Sequence, residues 1–400
     1  MQDYTVLFGR KLIDGTGNPP IENPIILIQG SKIIAVGREE DLAIPQTGNI
    51  IKLNYKDKTL LPGLIDCHVH LCMSADDNPL ARLYKDSDDM LVLRAANNAQ
   101  AALKAGITTL RDCGGRNRMT FSIKEAIKKG IIKGPRLLLS GRPITITGGH
   151  CFFLNGEADG IDGVQKAVRQ LIKEGADFLK IMASGGGMTP STIPKLPYYT
   201  VEELIVAADE AHRLGRKIAA HCHSTKSIED SLEAGIDTIE HASFLAPDGQ
   251  RKFELSIAEK IVASGTYICP TLSAGRRPIH PVNQTNEYKL GLQADMQNSN
   301  FSLMHQMGVK LIAGTDAGVT YTTFDNYPLC LELAIAGGMT NMQAIQSGTS
   351  LAAEALGIAD VIGAIQSGKE ADIIAVDGDP MENISVLWNI AMVMKAGELI

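Results

Sequence analysis

No stretch of this 400-residue chain approaches the ~20 consecutive apolar residues that a membrane-spanning helix needs. Nor is there an excess of basic charge: the net charge is -7, with acidic and basic residues mixed along the chain. That excludes the electrostatic footprint of a nucleic-acid-binding domain. Seven cysteines are present, but none are paired in a Cys-X-X-Cys spacing. An odd, scattered set points to reduced thiols in a cytoplasmic compartment rather than to a disulfide framework. Met1-Gln2-Asp3-Tyr4 lacks the basic segment and following apolar stretch of a secretory signal, so none is expected. Low-complexity linkers are missing too. What remains is a globular composition, 44% hydrophobic and 21% charged, long enough for one large domain and a smaller one. The expected partner is a small molecule, not a membrane or a nucleic acid. A homo-oligomer is compatible with the sequence.

A repeated unit fills the middle of the chain. Helix-like segments end in Gly, and a short apolar strand follows. Lys104-Ala105-Gly106 precedes Ile107-Thr108-Thr109-Leu110, and Glu174-Gly175 precedes Asp177-Phe178-Leu179-Lys180-Ile181. Leu214-Gly215, Ala234-Gly235, Ser264-Gly265 and Met307-Gly308 introduce the strands at 217–221, 238–241, 266–268 and 310–313. Glycine suits the left-handed position that stops a helix. The runs are continuously apolar, as in parallel strands covered on both faces. With Leu61–His70 and Arg136–Ser140 the set reaches eight strands with helical connections. That pattern predicts an α/β fold, a (β/α)8 TIM barrel over residues 59–361. Thr200 with Glu203, and Thr340 with Gln343, are capping-box signals for two of its helices.

Both ends of the chain read as short strands. Ile25–Ile28 and Ile33–Val36 flank Gln29-Gly30-Ser31-Lys32 as a hairpin, and Ala371–Val376 and Met392–Lys395 follow the last repeat. Residues 1–58 and 362–400 are therefore expected to form one small β-sandwich domain together.

Active sites of such barrels lie at the C-terminal ends of the strands. Asp66-Cys67-His68-Val69-His70 closes the first strand. Residues i and i+2 of a strand share a face with Cα atoms ~7 Å apart, so His68 and His70 can reach one ion. Lys180 lies inside the fourth strand, His221 closes the fifth, His241 the sixth, and Asp316 the eighth. Each has a structural reading when taken alone: core histidines, a snorkelling lysine, a helix-capping aspartate. Together they place four of the nine histidines, a buried lysine and a carboxylate on one rim. Neutral imidazole is the commonest ligand of zinc and similar ions, so the set predicts metal binding. His223 shares the strand face of His221 and reads either as support for the site or as part of the next helix start. His212, His280 and His305 read as structural.

The constellation resembles the amidohydrolase superfamily, in particular its dinuclear members with a lysine on strand 4. Leu12-Ile13-Asp14-Gly15-Thr16-Gly17 and Gly368-Lys369-Glu370-Ala371-Asp372-Ile373 resemble the terminal β-sandwich of that superfamily. Thr147-Gly148-Gly149-His150-Cys151 and Ala183-Ser184-Gly185-Gly186-Gly187 resemble loops of its prolidase-like, imidazolonepropionase-related subgroup. The resemblance implies two divalent metal ions, zinc first among them. His68, His70 and Asp316 would hold the more buried ion, His221 and His241 the more exposed one. Lys180, carbamylated by carbon dioxide, would bridge both. It further implies hydrolysis of an amide C–N bond by a metal-bridging hydroxide, with Asp316 as catalytic proton shuttle. His150 would orient the substrate.

For the substrate the subgroup implies a dipeptide, an N-acyl amino acid or a related small amide. Ureas, carbamates and lactones are the alternatives within the superfamily, as is a mononuclear imidazolonepropionase-like or deaminase-like ring hydrolase, against which Lys180 argues. Arg276 and Arg277, after the seventh strand, and Tyr198 and Tyr199, after the fourth, are the candidate substrate contacts, with Arg276 and Tyr199 foremost. The Met188–Pro194 loop lacks the acidic residues of many relatives, a departure from standard prolidase-like specificity.

Overall fold

The computed structural model of the protein describes residues 3–45 and 48–400. Its first strands are β1 (Asp3–Leu12), β2 (Ile21–Glu22), β3 (Pro24–Gln29), β4 (Lys32–Arg38) and β5 (Asn49–Pro62). The middle of the chain supplies β6 (Leu64–Val69), β7 (Ile107–Asp112), β8 (Arg136–Leu139), β9 (Phe178–Met182), β10 (Lys217–Ser224), β11 (Thr238–Leu245) and β12 (Tyr267–Cys269). The last strands are β13 (Ile373–Val376), β14 (Ile390–Lys395) and β15 (Glu398–Leu399).

The two ends of the chain do meet, as their sequences suggest. β5 pairs in parallel with β1 on one side and antiparallel with β13 on the other, Leu61 opposite Ile374. Hydrogen bonding joins these strands in the order β15-β14-β13-β5-β1-β3-β4, with β2 beside β1. Strand alternation explains how one sheet serves two cores. Leu7 faces a cluster with Ile26, Leu60 and Ile373, while Val6 and Phe8 face another with Ile25 and Leu27. The expected domain boundary at 58/59 falls within β5.

In the α/β domain, β6-β7-β8 form a three-stranded sheet and β9-β10-β11-β12 a four-stranded one, both parallel. Every residue of β6, β7 and β9 is buried, as their apolar runs require. Isolated hydrogen bonds bridge the gaps between the two sheets. Asp177 N–H donates to Leu139 O at 2.8 Å, and Ile144 N–H to Lys180 O at 2.8 Å. On the other side Ile312 N–H donates to Ile268 O at 2.9 Å and Cys67 N–H to Ala313 O at 3.0 Å. The eighth expected strand, 310–313, therefore lies between β12 and β6 but makes only an isolated bridge, Leu311 to Ile268. Gly314 and the left-handed Asp316 (φ 63°) bend the backbone there before a ladder can extend. A Cβ on Gly314 would lie 2.4 Å from Cys269 Sγ, so the bend is also close-packed.

Helices cover these sheets. Both capping boxes form: Thr200 caps Val201–Arg213 with Glu203, and Thr340 caps Asn341–Ser347 with Gln343. All seven cysteines are free and buried. Among the described residues no helix is long and apolar enough to cross a membrane.

Gly63 joins the terminal sheet to β6. Its N–H donates to Asp372 O at 2.8 Å, and an added Cβ would lie 2.2 Å from Thr108 Oγ1. Overpacking of this kind costs about 1–3 kcal/mol. Gly63→Ala should lower the thermal midpoint by several degrees; an unchanged midpoint would show that Thr108 moves aside freely.

Candidate metal centre

The strand ends deliver their polar residues to one cavity of about 810 Å³, whose lining includes His68, His70, Lys180, His221, His241 and Asp316. His68 and His70 stand at the end of β6, Lys180 on β9, His221 on β10 and His241 on β11. Two ligand-capable groups result. His68, His70 and Asp316 form one, and His221, His223 and His241 the other; the donor atoms within each lie within 4.8 Å of one another. Rings of the two groups adjoin, with His68 and His241 centroids 5.2 Å apart.

The spacing fits an ion better than direct bonding. Asp316 Oδ1 lies 3.5 Å from His68 Nε2 and 3.4 Å from His70 Nε2. Those distances exceed good hydrogen bonds, and Asp316 Oδ1 has no hydrogen-bond partner although it is buried. Ligands of a tetrahedral ion with bonds of ~2.0–2.1 Å stand roughly 3.3 Å apart. Lys180 Nζ is likewise buried without a partner. Two orphaned polar atoms beside five imidazoles match a group that binds divalent cations. Backbone strain concentrates here as well: His241 (φ 69°), Thr271 (φ 49°) and Asp316 (φ 63°) all occupy the left-handed region, at a cost of order 1–3 kcal/mol each.

Electrostatics keep most of the imidazoles in their ligand form. Burial, reinforced by the Lys180 charge, pushes His68 down to about 4. Burial with the neighbouring His223 and His70 takes His150 to about 3, and burial with Arg251 takes His223 to about 4. His221 and His241 fall well below the usual range, again through burial and the crowd of other imidazoles. His70 differs. Burial pulls it down, but the adjacent Asp316 carboxylate outweighs this and raises it. Burial would raise Asp316, yet His68 and His70 hold it well below the usual carboxylate range.

A buried network orients the first histidine. His68 Nδ1 donates to Glu240 Oε2 at 2.7 Å, which turns Nε2 toward Asp316. Glu240 Oε1 accepts from Arg111 Nη2 at 2.6 Å and from Thr238 Oγ1 at 3.0 Å. Burial disfavours the Glu240 anion, but Arg111 dominates and holds it well below the usual range. Asp66, at the start of the His-X-His segment, accepts from Thr315 N–H at 3.0 Å and His68 N–H at 3.1 Å, tying β6 to the loop that carries Asp316.

The expected substrate contacts divide. His150 lines the cavity, its ring 4.5 Å from His221. It packs so closely on Gly186 that a Cβ there would lie 2.3 Å from the ring. Arg276 lines the cavity but is bonded to Asp295 at 3.0 Å. Tyr199 must be corrected. It is buried in the packing between strands and helices, its hydroxyl donates to Ala158 O at 2.7 Å, and it does not line the cavity. Tyr198 braces its own loop by accepting from Ile193 N–H at 2.9 Å, and Arg277 stacks on Tyr321 at 4.0 Å. Glu240, Arg111 and Arg251 were not anticipated. A charged residue within an apolar strand, the feature that singles out Lys180, equally marks Glu240 and Arg111.

Strand-end histidines, a buried lysine and a carboxylate around one cavity make a group that could hold metal ions. The chain belongs to the amidohydrolase family, which it matches over residues 59–400. It is 30% identical to ochratoxinase of Aspergillus niger over 436 aligned positions, covering 99% of this chain and 86% of that protein. The crystal structure of that ochratoxinase superposes with a TM-score of 0.82 at 27% identity, covering 100% of this chain and 95% of the other. A crystal structure of a Xaa-Pro dipeptidase with bound methionine gives a TM-score of 0.85 at 31% identity, covering 99% of both chains. Imidazolonepropionase of Geobacillus thermodenitrificans is 22% identical, covering 95% of this chain and 90% of the enzyme. These relatives place the chain in the prolidase-like, imidazolonepropionase-related part of the superfamily. Structural relatives of the family imply a TIM barrel with a small domain. The protein is a hydrolase acting on C–N bonds.

Removing one member of a buried ion pair costs about 3–5 kcal/mol, because the other charge is left alone. Glu240→Ala should therefore lose stability on that scale in chemical denaturation. A loss under 1 kcal/mol would show that Arg111 finds another partner.

Proposed function

We propose that this chain is a dinuclear, zinc-dependent hydrolase of small amides: dipeptides, N-acyl amino acids or related compounds. The observation that carries the reading is Lys180, whose Nζ is buried with no hydrogen-bond partner. An ammonium beside two dications would be strongly repelled, which favours a group there that can become an anionic oxygen donor. As a free amine Lys180 could add to carbon dioxide, forming an N–C bond and releasing a proton, and the carbamate would offer oxygen donors to the ions. His68, His70 and Asp316 would hold the more buried ion, and His221 and His241 the more exposed one.

Bound divalent ions would supply Lewis acidity towards a scissile carbonyl and would acidify water to a pKa of about 7. The protein's own groups do the rest. Glu240 fixes His68 by accepting from Nδ1, so that Nε2 remains a lone-pair donor. Asp316 takes the proton of the attacking water on a carboxylate oxygen and passes it to the leaving nitrogen. His150, held against Gly186, orients the substrate carbonyl. Met188, Leu272, Met296 and Phe301 form an apolar part of the cavity wall suited to an alkyl or aryl substituent. The name of the Xaa-Pro dipeptidase relative supports a peptide-like substrate. The Met188–Pro194 loop, without acidic residues, supports one other than a standard prolidase dipeptide.

Purified protein should hold two equivalents of divalent metal by elemental analysis and hydrolyse members of a panel of dipeptides, N-acyl amino acids and arylamides. Chelation should abolish turnover. Lys180→Ala should lose one ion and at least about 100-fold in activity. A single tightly held ion with full activity in Lys180→Ala would overturn the dinuclear reading.

A further inference from the structure

β10 presents a third imidazole to the cavity. His223 lies two residues after His221 and points to the same face, as strand alternation requires. Its ring centroid is 4.5 Å from that of His221 and 4.8 Å from that of His241. Each of the three rings can offer one nitrogen within 4.8 Å of the other two.

Their orientation is more telling than their proximity. A metal-bound imidazole uses one nitrogen for the ion and commits the other to an oxygen partner that fixes the ring. All three follow that rule. His221 Nε2 faces Gly185 O at 3.1 Å, and His241 Nδ1 faces Thr271 Oγ1 at 2.8 Å. His223 Nδ1 faces Ser243 Oγ at 2.8 Å, leaving Nε2 unbonded. Its backbone is pinned as well, since His223 N–H donates to Ser184 Oγ at 2.9 Å. Ser243 is itself held between two left-handed residues, Ala242 (φ 46°) and Phe244 (φ 51°). β11 is thus bent locally at the residue that positions His223.

We propose that His223 is a third imidazole ligand of the more exposed ion, beside His221 and His241, an inference that rests on the dinuclear reading above. The third nitrogen takes a coordination position that water would otherwise occupy. It anchors the ion nearer the solvent, where exchange is easiest, with three neutral donors in addition to the Lys180 oxygen. Ser243 is the positioning residue that holds the ring.

Cobalt(II) tests this on the full chain, made metal-free and reconstituted in bicarbonate buffer. Bound metal and the visible cobalt absorption are followed as Co2+ is added. Wild type should take up two equivalents. His223→Ala should bind the first with unchanged affinity and the second at least tenfold more weakly, with a changed visible band for the second. Ser243→Ala should weaken the second equivalent in the same direction by a smaller factor, and it carries the test if His223→Ala fails to fold. Two equivalents bound by His223→Ala with wild-type affinity and spectrum would overturn the proposal and leave the dinuclear reading intact. Wild type taking up one equivalent would overturn both.

Discussion

Glu240 is a fully buried carboxylate, and the centre is arranged around it. One oxygen accepts from His68, the other from Arg111 and Thr238. Arg111 is also buried; it donates to Thr238 Oγ1 and to Cys67 O, and stacks over Phe178. Removing each such charge from water costs several kcal/mol. The cost is offset because nearly every lone pair and proton in the network has a partner. Four strands are thereby locked to one another: β6 through His68 and Cys67, β7 through Arg111, β9 through Phe178, and β11 through Glu240 and Thr238. A histidine fixed in this way has one tautomer and one direction, and the remaining ligands are set relative to it.

Around that anchor the cavity separates two kinds of surface. Within it, crowding and burial strip protons from most of the imidazoles, which leaves their nitrogens free as lone-pair donors. Towards the opening, Arg276 is paired with Asp295 and apolar side chains from the segments following β9 and β12 make up part of the wall. Arg251, also in the lining, stands in the segment after β11. The imidazole set and the apolar wall therefore come from different parts of the chain. The first is fixed by the strands, the second by the connections beyond them.

Much of this was legible in the sequence because strand ends are easy to find there. Gly-terminated helices and apolar runs placed His68, His70, Lys180, His221, His241 and Asp316 on one rim without any knowledge of contacts. Glu240 and Arg111 escaped because their meaning lies in each other, 129 residues apart. Each stands as a charge inside a covered strand, but nothing local names the partner that satisfies it. Tyr199 was misread for a related reason: a hydroxyl beyond a strand end can face the cavity or the surrounding helices, and the carbonyl of Ala158 decides between them. The terminal strands were recognised from their short apolar runs. Period-two alternation tells which residues share a face; it does not tell whether the strands make one sheet or two. The eighth strand was recognised as a segment, while Gly314 and Asp316 prevent it from forming a regular ladder.

The meeting of β5 with β13 has a consequence for how the molecule is made. One side of β5 is covered by β1 early, from residues close in the chain. Its other side waits for β13, which follows the whole α/β domain. While the chain emerges from the ribosome, that edge offers unpaired backbone donors and acceptors, a template for joining another nascent copy. β13 pairs only with Thr59–Pro62; the adjoining stretch from Lys52 to Lys58 carries three lysines and an aspartate, and charge of this kind discourages edge-to-edge joining. The solubility of the unfinished chain thus depends on residues that take no part in the chemistry of the finished one.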